Sequence, residues 1–82
     1  MIIGLQIRAA RHALQWSVKE LSRQSNVSTS TITRIESMDG VSNSTVNNVA
    51  AIQSALEAAG IEFIGSPDDA PGIRIHAQKA KG

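Results

Sequence analysis

Residues 17–36 read SVKELSRQSNVSTSTITRIE, and this stretch decides the fold because it carries the signals of two short helices separated by a tight turn. Ser17 and Glu20 have the spacing of a capping box, in which the serine hydroxyl accepts a backbone N–H and the glutamate carboxylate accepts the N–H of the serine. The pair predicts a helix that begins at Val18.

The end of this helix and the start of the next follow within a few residues. Asn26 tolerates the left-handed backbone that helices adopt just past their last turn, so we expect the helix to end near Ser25. Val27 can then enter the core, and Ser28 can cap a second helix through about Ser37. The stretch therefore predicts a helix-turn-helix.

The outward face of the second helix is polar. With a period of about 3.6 residues, Ile32 and Ile35 face the core, and the opposite side has no aliphatic residue. Small hydroxyl side chains and a guanidinium group suit a DNA groove, and Arg34 is the best candidate for reading a guanine, with a phosphate contact as the alternative. We predict base contacts from Thr29, Ser30, Thr33 and Arg34.

Contacts to the DNA backbone are predicted at three helix starts. The N-termini at Ser17 and Ser28 present free N–H groups and the positive ends of helix dipoles, which favour phosphate. Lys19 could add a charge or remain solvated, and a polar cluster precedes and opens the last helix. The predicted backbone contacts are Ser17, Lys19, Ser28, Asn43, Ser44, Thr45 and Asn47.

The first and last helices follow from apolar stripes. Gly4 is the expected N-cap of a first helix whose apolar residues recur three or four apart, and Arg11 falls inside that stripe. After a loop over residues 38–43, the same spacing predicts a fourth helix from about Val46 that ends at Gly60. Residues 1–60 thus form the predicted helical domain.

Beyond Gly60 the pattern changes from helical to strand-like. Two short β-rich segments, 61–64 and 73–76, flank a loop over residues 65–72, and antiparallel pairing lets Glu62 meet Arg74. Because a lone hairpin is marginally stable, we expect residues 61–76 to pack on the helices and to pair with a second copy of the chain. The predicted dimer interface is Ile61, Phe63, Ile64, Ile73 and Ile75. Residues 77–82 are the expected flexible tail.

Composition narrows the class of protein. The chain has 82 residues, a net charge of +1 and no cysteine, which excludes disulfides and thiolate metal sites and is compatible with a reducing cytoplasm. The opening residues lack the length of a secretory or membrane-spanning segment, so we expect a cytoplasmic protein without membrane association. His12 and His76 look isolated, and no phosphate loop or metal-spaced cluster appears. We therefore expect no enzyme activity, no cofactor and no metal.

The stretch from Trp16 to Glu36 resembles the helix-turn-helix of the lambda-repressor/Cro-like superfamily, also called the XRE class. The resemblance rests on Leu21, Ser22, Asn26, Val27, Ser28, Ile32, Ile35 and Glu36. Family members usually carry glutamine where Val18 stands, alanine at Ser22 and glycine at Asn26. Serine and asparagine are mild changes, whereas valine removes a polar phosphate contact.

The resemblance implies a partner for the arginine in the first apolar stripe. In the family an arginine at this position pairs with the glutamate that closes the recognition helix, and Glu36 lies beside Ile32 on the inner flank of its helix. We predict an Arg11–Glu36 ion pair, with two ordinary solvated charges as the alternative. Short family members also carry a strand like 61–64 after the last helix, so the resemblance extends to about residue 76.

These observations together predict a mainly α fold: a four-helix, lambda-repressor-like domain followed by a short β-hairpin. The expected function is sequence-specific binding of double-stranded DNA by a homodimer on a pseudo-palindromic operator, through residues 28–37, to regulate transcription. The alternative is a protein-binding module on the same fold, such as an antitoxin or an antagonist of another regulator, which would use the exposed edge of the hairpin. We find no ligand-sensing domain and expect no small-molecule ligand.

Overall fold

The computed structural model describes residues 2–37, 46–66 and 69–76, and within them it has four helices followed by a two-stranded antiparallel sheet. The elements are α1 (Gly4–Ala13), α2 (Val18–Ser25), α3 (Thr29–Glu36), α4 (Val46–Ala58), β1 (Ile61–Ser66) and β2 (Asp69–Ile75). The predicted fold class is confirmed. Over the described part of the chain, none of the helices combines the length and the apolar character needed to cross a bilayer.

The two central helices begin and end where their caps dictate. The Ser17 hydroxyl accepts the N–H of Glu20 at 3.0 Å, and the Ser28 hydroxyl accepts the N–H of Thr31 at 3.3 Å. Asn26 has φ 63° and ψ 25°, the left-handed conformation that ends α2 and redirects the chain. The helix-turn-helix predicted from these residues is therefore present.

The start of the first helix differs from the sequence expectation. The N-cap is Ile3, whose backbone is extended, and Gly4 is already the first helical residue. An isoleucine side chain cannot accept a hydrogen bond, so the side chain of Gln6 serves the helix start instead: its Oε1 accepts the N–H of Ile3 at 3.0 Å. The helix is thus capped by a residue of its own first turn.

One apolar core joins the helices to the sheet. Its fully buried large side chains come from all four helices: Ile7, Leu21, Ile32, Ile52 and Leu56. Phe63 and Ile73 of the sheet pack against this core, so the hairpin belongs to the same hydrophobic unit. Val46, placed in the buried stripe by its spacing, is exposed because it is the first residue of α4 and lies a full turn before the first buried position, Val49.

The sheet has the register that the sequence predicts. The paired residues are Ile61 with Ile75, Glu62 with Arg74, Phe63 with Ile73, and Ile64 with Gly72. The strands are longer than the sequence predicts, because β2 begins at Asp69 and includes Pro71, which the sequence pattern places in the loop. Gly65 allows β1 and β2 to approach closely near the end of β1: it has φ 76°, and a Cβ there would lie 2.2 Å from the carbonyl oxygen of Ala70.

Candidate nucleic-acid interface

The turn between α2 and α3 is fixed by the side chain of Ser25 as well as by Asn26. The Ser25 hydroxyl donates to the carbonyl oxygen of Leu21 at 2.7 Å and accepts the N–H of Val27 at 3.3 Å. Asn26 donates its N–H to the carbonyl oxygen of Ser22 at 2.8 Å. Because Ser25 and Val27 are both buried, the angle between the two helices is set by the core side of the turn.

The outward face of α3 is free of apolar groups. Thr29, Ser30, Thr33 and Arg34, the predicted base-contact residues, are all exposed. Ile32 and Ile35 lie buried on the opposite side of the helix. In the described part of the chain Arg34 has no acidic partner within salt-bridge distance. The face therefore presents hydroxyl groups and one exposed guanidinium.

Some of the hydroxyl groups at the N-terminus of α3 form hydrogen bonds within the helix start itself. The Ser28 hydroxyl accepts the N–H of Thr31 and donates to the Oγ1 of the same threonine at 2.8 Å. A contact from Ser28 to DNA, as predicted, would therefore be made by its backbone N–H, since the hydroxyl proton is already engaged. Thr31 is half-buried at the margin of the face.

The N-terminus of α2 has only half of the predicted capping box. Ser17 caps the helix, but the Glu20 carboxylate does not return to its N–H; it accepts from Arg23 at 2.6 Å and from Gln24 at 2.7 Å. The hydrogen bond from Arg23 lowers the pKa of Glu20. A nearby guanidinium competes better for a carboxylate than a backbone N–H does, because its hydrogen bond is charge-assisted. Lys19 is exposed beside this helix start.

The structure brings together Arg11 and Glu36, the two residues for which the resemblance implies an ion pair. Arg11 donates from Nε to Oε2 at 2.8 Å and from the terminal Nη2 to Oε1 at 2.9 Å, a two-point contact. Its other terminal nitrogen donates to the carbonyl oxygen of Trp16 at 3.0 Å. Hydrogen bonding to Glu36 raises the pKa of Arg11. The pair fastens the last residue of α3 to α1.

The basic residues are unevenly distributed along the chain. Residues 1–37 contain five lysines and arginines against two acidic residues, a net charge of +3, whereas residues 38–82 carry −2. Arg11 and Arg23 are neutralised by ion pairs, and no such pair engages Arg8, Lys19 or Arg34 within the described ranges. The overall charge of +1 therefore conceals a basic helix-turn-helix half.

Of the remaining predicted contacts to the DNA backbone, the structure describes one. Asn47 is exposed in the first turn of α4, where it is available to a ligand. Asn43, Ser44 and Thr45 lie outside the described residues.

The predicted dimer residues differ widely in exposure. Ile61 is 2% exposed and belongs to the monomer core, which corrects its assignment to an interface, since a side chain enclosed in its own subunit cannot contact another. Phe63, Ile64 and Ile73 are half-buried, and Ile75 is 54% exposed. Ile61 and Ile75 face each other across the ladder, but the helices cover only the first.

Gln6 is a buried residue joining α1 to the sheet, and the sequence did not reveal this role. It is buried, and its Nε2 donates to the carbonyl oxygens of Ile64 at 3.3 Å and Gly72 at 2.9 Å. The amide thus joins α1 to both strands. Its only sequence signal is a polar residue next to the apolar stripe, at the third position of a helix whose N-cap cannot accept a hydrogen bond.

His76 has a partner that was also missed. Its Nε2 lies 2.7 Å from Oε1 of Glu62, which also accepts from Arg74 at 3.2 Å. Hydrogen bonding to His76, followed by the charge of Arg74, lowers the pKa of Glu62. Glu62 and His76 border an open cavity of about 330 Å³ together with Glu57 and Ile61. Among the described residues, no group of three or more acidic, histidine or cysteine side chains is arranged to hold a metal ion.

Two capped helices joined by a fixed left-handed turn, with a polar outward face on the second, define a helix-turn-helix protein. A family model described as helix-turn-helix matches residues 7–59, more than half of the chain. Searches of curated proteins and of solved structures gave no significant match. The chain belongs to the helix-turn-helix family and is a DNA-binding regulator of the lambda-repressor/Cro-like class.

Proposed function

We propose that this protein is a sequence-specific transcription regulator that binds a pseudo-palindromic operator as a homodimer and reads it with α3. The observation that carries the proposal is the outward face of α3, which is exposed and polar and includes the exposed guanidinium of Arg34. The helix is capped by Ser28 at its start and joined to α1 through Glu36 at its end. Such a face is suited to a major groove, which admits a helix and presents a distinct pattern of donors and acceptors for each base pair.

The roles of the side chains follow from their chemistry. Arg34 would donate two hydrogen bonds to a guanine, while Thr29, Ser30 and Thr33 would contact base edges or thymine methyl groups. The phosphate backbone of the DNA would be bound by Lys19, by the Ser17 hydroxyl, by Asn47, and by the backbone N–H groups at the starts of α2 and α3. The net charge of +3 on residues 1–37 supports this orientation towards DNA.

The proposed dimer would form along the edge of β2 that faces away from β1. His76 donates its N–H to the carbonyl oxygen of Gly60 at 2.7 Å, so the alternate residues Ile73 and Ile75 direct their backbone groups away from β1. Pro71 has no N–H to offer, which confines strand addition to the end of β2 nearest His76. Pairing two weak half-site readers would raise their affinity through effective concentration.

Salt dependence tests the proposal against the rival protein-binding module, which would use the same strand edge. Each phosphate neutralised contributes a slope of about −0.9 to log affinity against log salt, so a dimer with two or three such contacts per subunit should give a slope of about −4 to −5. Lys19→Ala should reduce the slope by about two in the dimer. The matched control is Arg74→Ala, which removes a paired arginine of the hairpin and should leave the slope unchanged.

A slope near zero, or equal effects of the two substitutions, would contradict DNA binding through the helix-turn-helix face. In that case a protein partner on the strand edge becomes the better account.

A further inference from the structure

Gln6 makes three hydrogen bonds from a buried position. The residue is 4% exposed; its Oε1 accepts the N–H of Ile3, and its Nε2 donates to the carbonyl oxygens of Ile64 and Gly72. These two carbonyls belong to directly paired residues of β1 and β2. Gln6 therefore joins α1 to both strands of the hairpin at one paired position. Both protons of its amide are engaged in these hydrogen bonds.

The same helix holds the recognition helix through a second side chain. Arg11 lies five residues after Gln6, roughly 7.5 Å along the axis of α1, and makes the two-point contact with Glu36 at the end of α3. Both connections use charged or amide groups with fixed geometry. The position of the hairpin relative to α3 is thus set through a single rigid element of ten residues.

We propose that Gln6 is a positioning residue that fixes the spacing between operator half-sites accepted by the dimer. This rests on the proposed function, because the hairpin sets half-site spacing only if it forms the dimer interface. A hairpin released from Gln6 would still pack through Phe63 and Ile73, whose contacts are apolar and non-directional. The two recognition helices of the dimer would then sample a range of separations in place of one.

The experiment measures affinity for a series of operators in which the half-site separation is changed one base pair at a time. Each base pair moves the second half-site by about 3.4 Å and rotates it by about 35°, so a rigid dimer should bind one spacing best. We expect the wild-type chain to prefer its best spacing over neighbours two base pairs away by about tenfold or more. Gln6→Met should reduce this preference to about threefold or less, while affinity for a single half-site stays within about twofold.

Two further variants make the result decisive. Gln53→Met is the matched control, because among the described residues the Gln53 amide donates to Glu57 of the same helix, and it should retain the wild-type profile. Gln6→Glu keeps an oxygen for the N–H of Ile3 but removes the donors to the hairpin, so it carries the test if Gln6→Met does not fold. It should flatten the profile as well.

A folded, dimeric Gln6 variant with the wild-type spacing profile would overturn the role of Gln6 alone. A wild-type chain that binds duplex DNA without any spacing preference would instead contradict the dimeric function on which this inference rests.

Discussion

The Arg11–Glu36 pair is the residue-scale contact with the largest expected effect on stability. The two side chains are 11% and 8% exposed, so removing one leaves a nearly buried charge without its partner. We expect Glu36→Ala to lower the free energy of unfolding by about 3–5 kcal/mol, measured by denaturant or thermal unfolding. Glu57→Ala, at an exposed position of α4, should cost less than about 0.5 kcal/mol. Similar losses in the two variants would show that the pair does not hold α3.

The Glu62 cluster predicts a dependence of stability on pH. Its pKa is lowered by His76 and Arg74, so the folded state favours the ionised carboxylate. That contribution is complete above the ordinary glutamate pKa of 4.5 and is lost as the pH falls through the lower pKa of the folded state. The difference in melting temperature between the wild type and Glu62→Gln should therefore be steady near neutral pH and shrink in acid.

Thermal unfolding across the acidic range checks this, with Asp69→Asn as the control because Asp69 is exposed at the start of β2. A Glu62→Gln difference that is independent of pH would argue against the cluster.

Residue-level contacts could be predicted where a charge interrupts an apolar pattern and could not where the partner is a backbone group. Arg11 stands out because an arginine within a buried stripe needs a counter-charge. Gln6 does not, because its partners are carbonyl oxygens 58 and 66 residues away, whose positions depend on the docked hairpin. The contact of His76 with Glu62 could be predicted in principle, because the predicted register already puts residues 62, 74 and 76 on the same face of the sheet.

At the scale of elements, Asn26 is the residue that allows two helices to follow each other so closely. Its φ of 63° is unfavourable for most side chains, and alanine there should cost about 1 kcal/mol in unfolding free energy, while glycine should be tolerated. Gln24→Ala, on the exposed face of α2, provides the control. The turn would need another explanation if Asn26→Ala were as stable as that control.

Helix boundaries could be predicted where a local side chain caps the helix, as at Ser17 and Ser28, but not at the start of α1, where Gln6 within the helix takes that role. The extent of β2 could not be predicted, because proline is in general a poor strand residue. Pro71 is tolerated in β2 because it lies at the edge of the sheet, where its missing N–H breaks no hydrogen bond. The predicted hydrogen bond from the N–H of Ser17 to the Glu20 carboxylate was also wrong. The preference of Glu20 for Arg23 depends on side-chain competition, which the spacing of the motif does not encode.

At the scale of the whole molecule, the proposed dimer can be tested at its most exposed apolar residue. Ile75→Lys should leave the monomer fold intact, because the side chain is 54% exposed, and should place a charge on the strand edge that blocks pairing. Sedimentation should then report a monomer for this variant and a dimer for the wild type. Leu5→Lys is the control, since Leu5 is equally exposed, at 53%, on α1. Loss of the dimer in Leu5→Lys but not in Ile75→Lys would place the interface elsewhere.

Assembly and charge could be predicted only in part. The sequence correctly paired the two strands, but it could not tell that Ile61 faces the core and Ile75 does not, because their alternation is identical and only the position of the helices separates them. The net charge of the whole chain did not indicate DNA binding either, because it sums a basic half, residues 1–37, and an acidic half, and because it includes arginines that ion pairs neutralise.

The central claim is that α3 reads DNA sequence through Arg34, and selection of binding sites from random duplex DNA tests it most directly. The wild-type chain should enrich a pseudo-palindrome whose half-site centres lie about 34 Å apart if they are one turn apart. Arg34→Ala should relax one guanine position in each half-site, a loss of about 1–3 kcal/mol of discrimination, and leave the other positions selected. The absence of any enriched site, or an Arg34→Ala site identical to that of the wild type, would contradict the account.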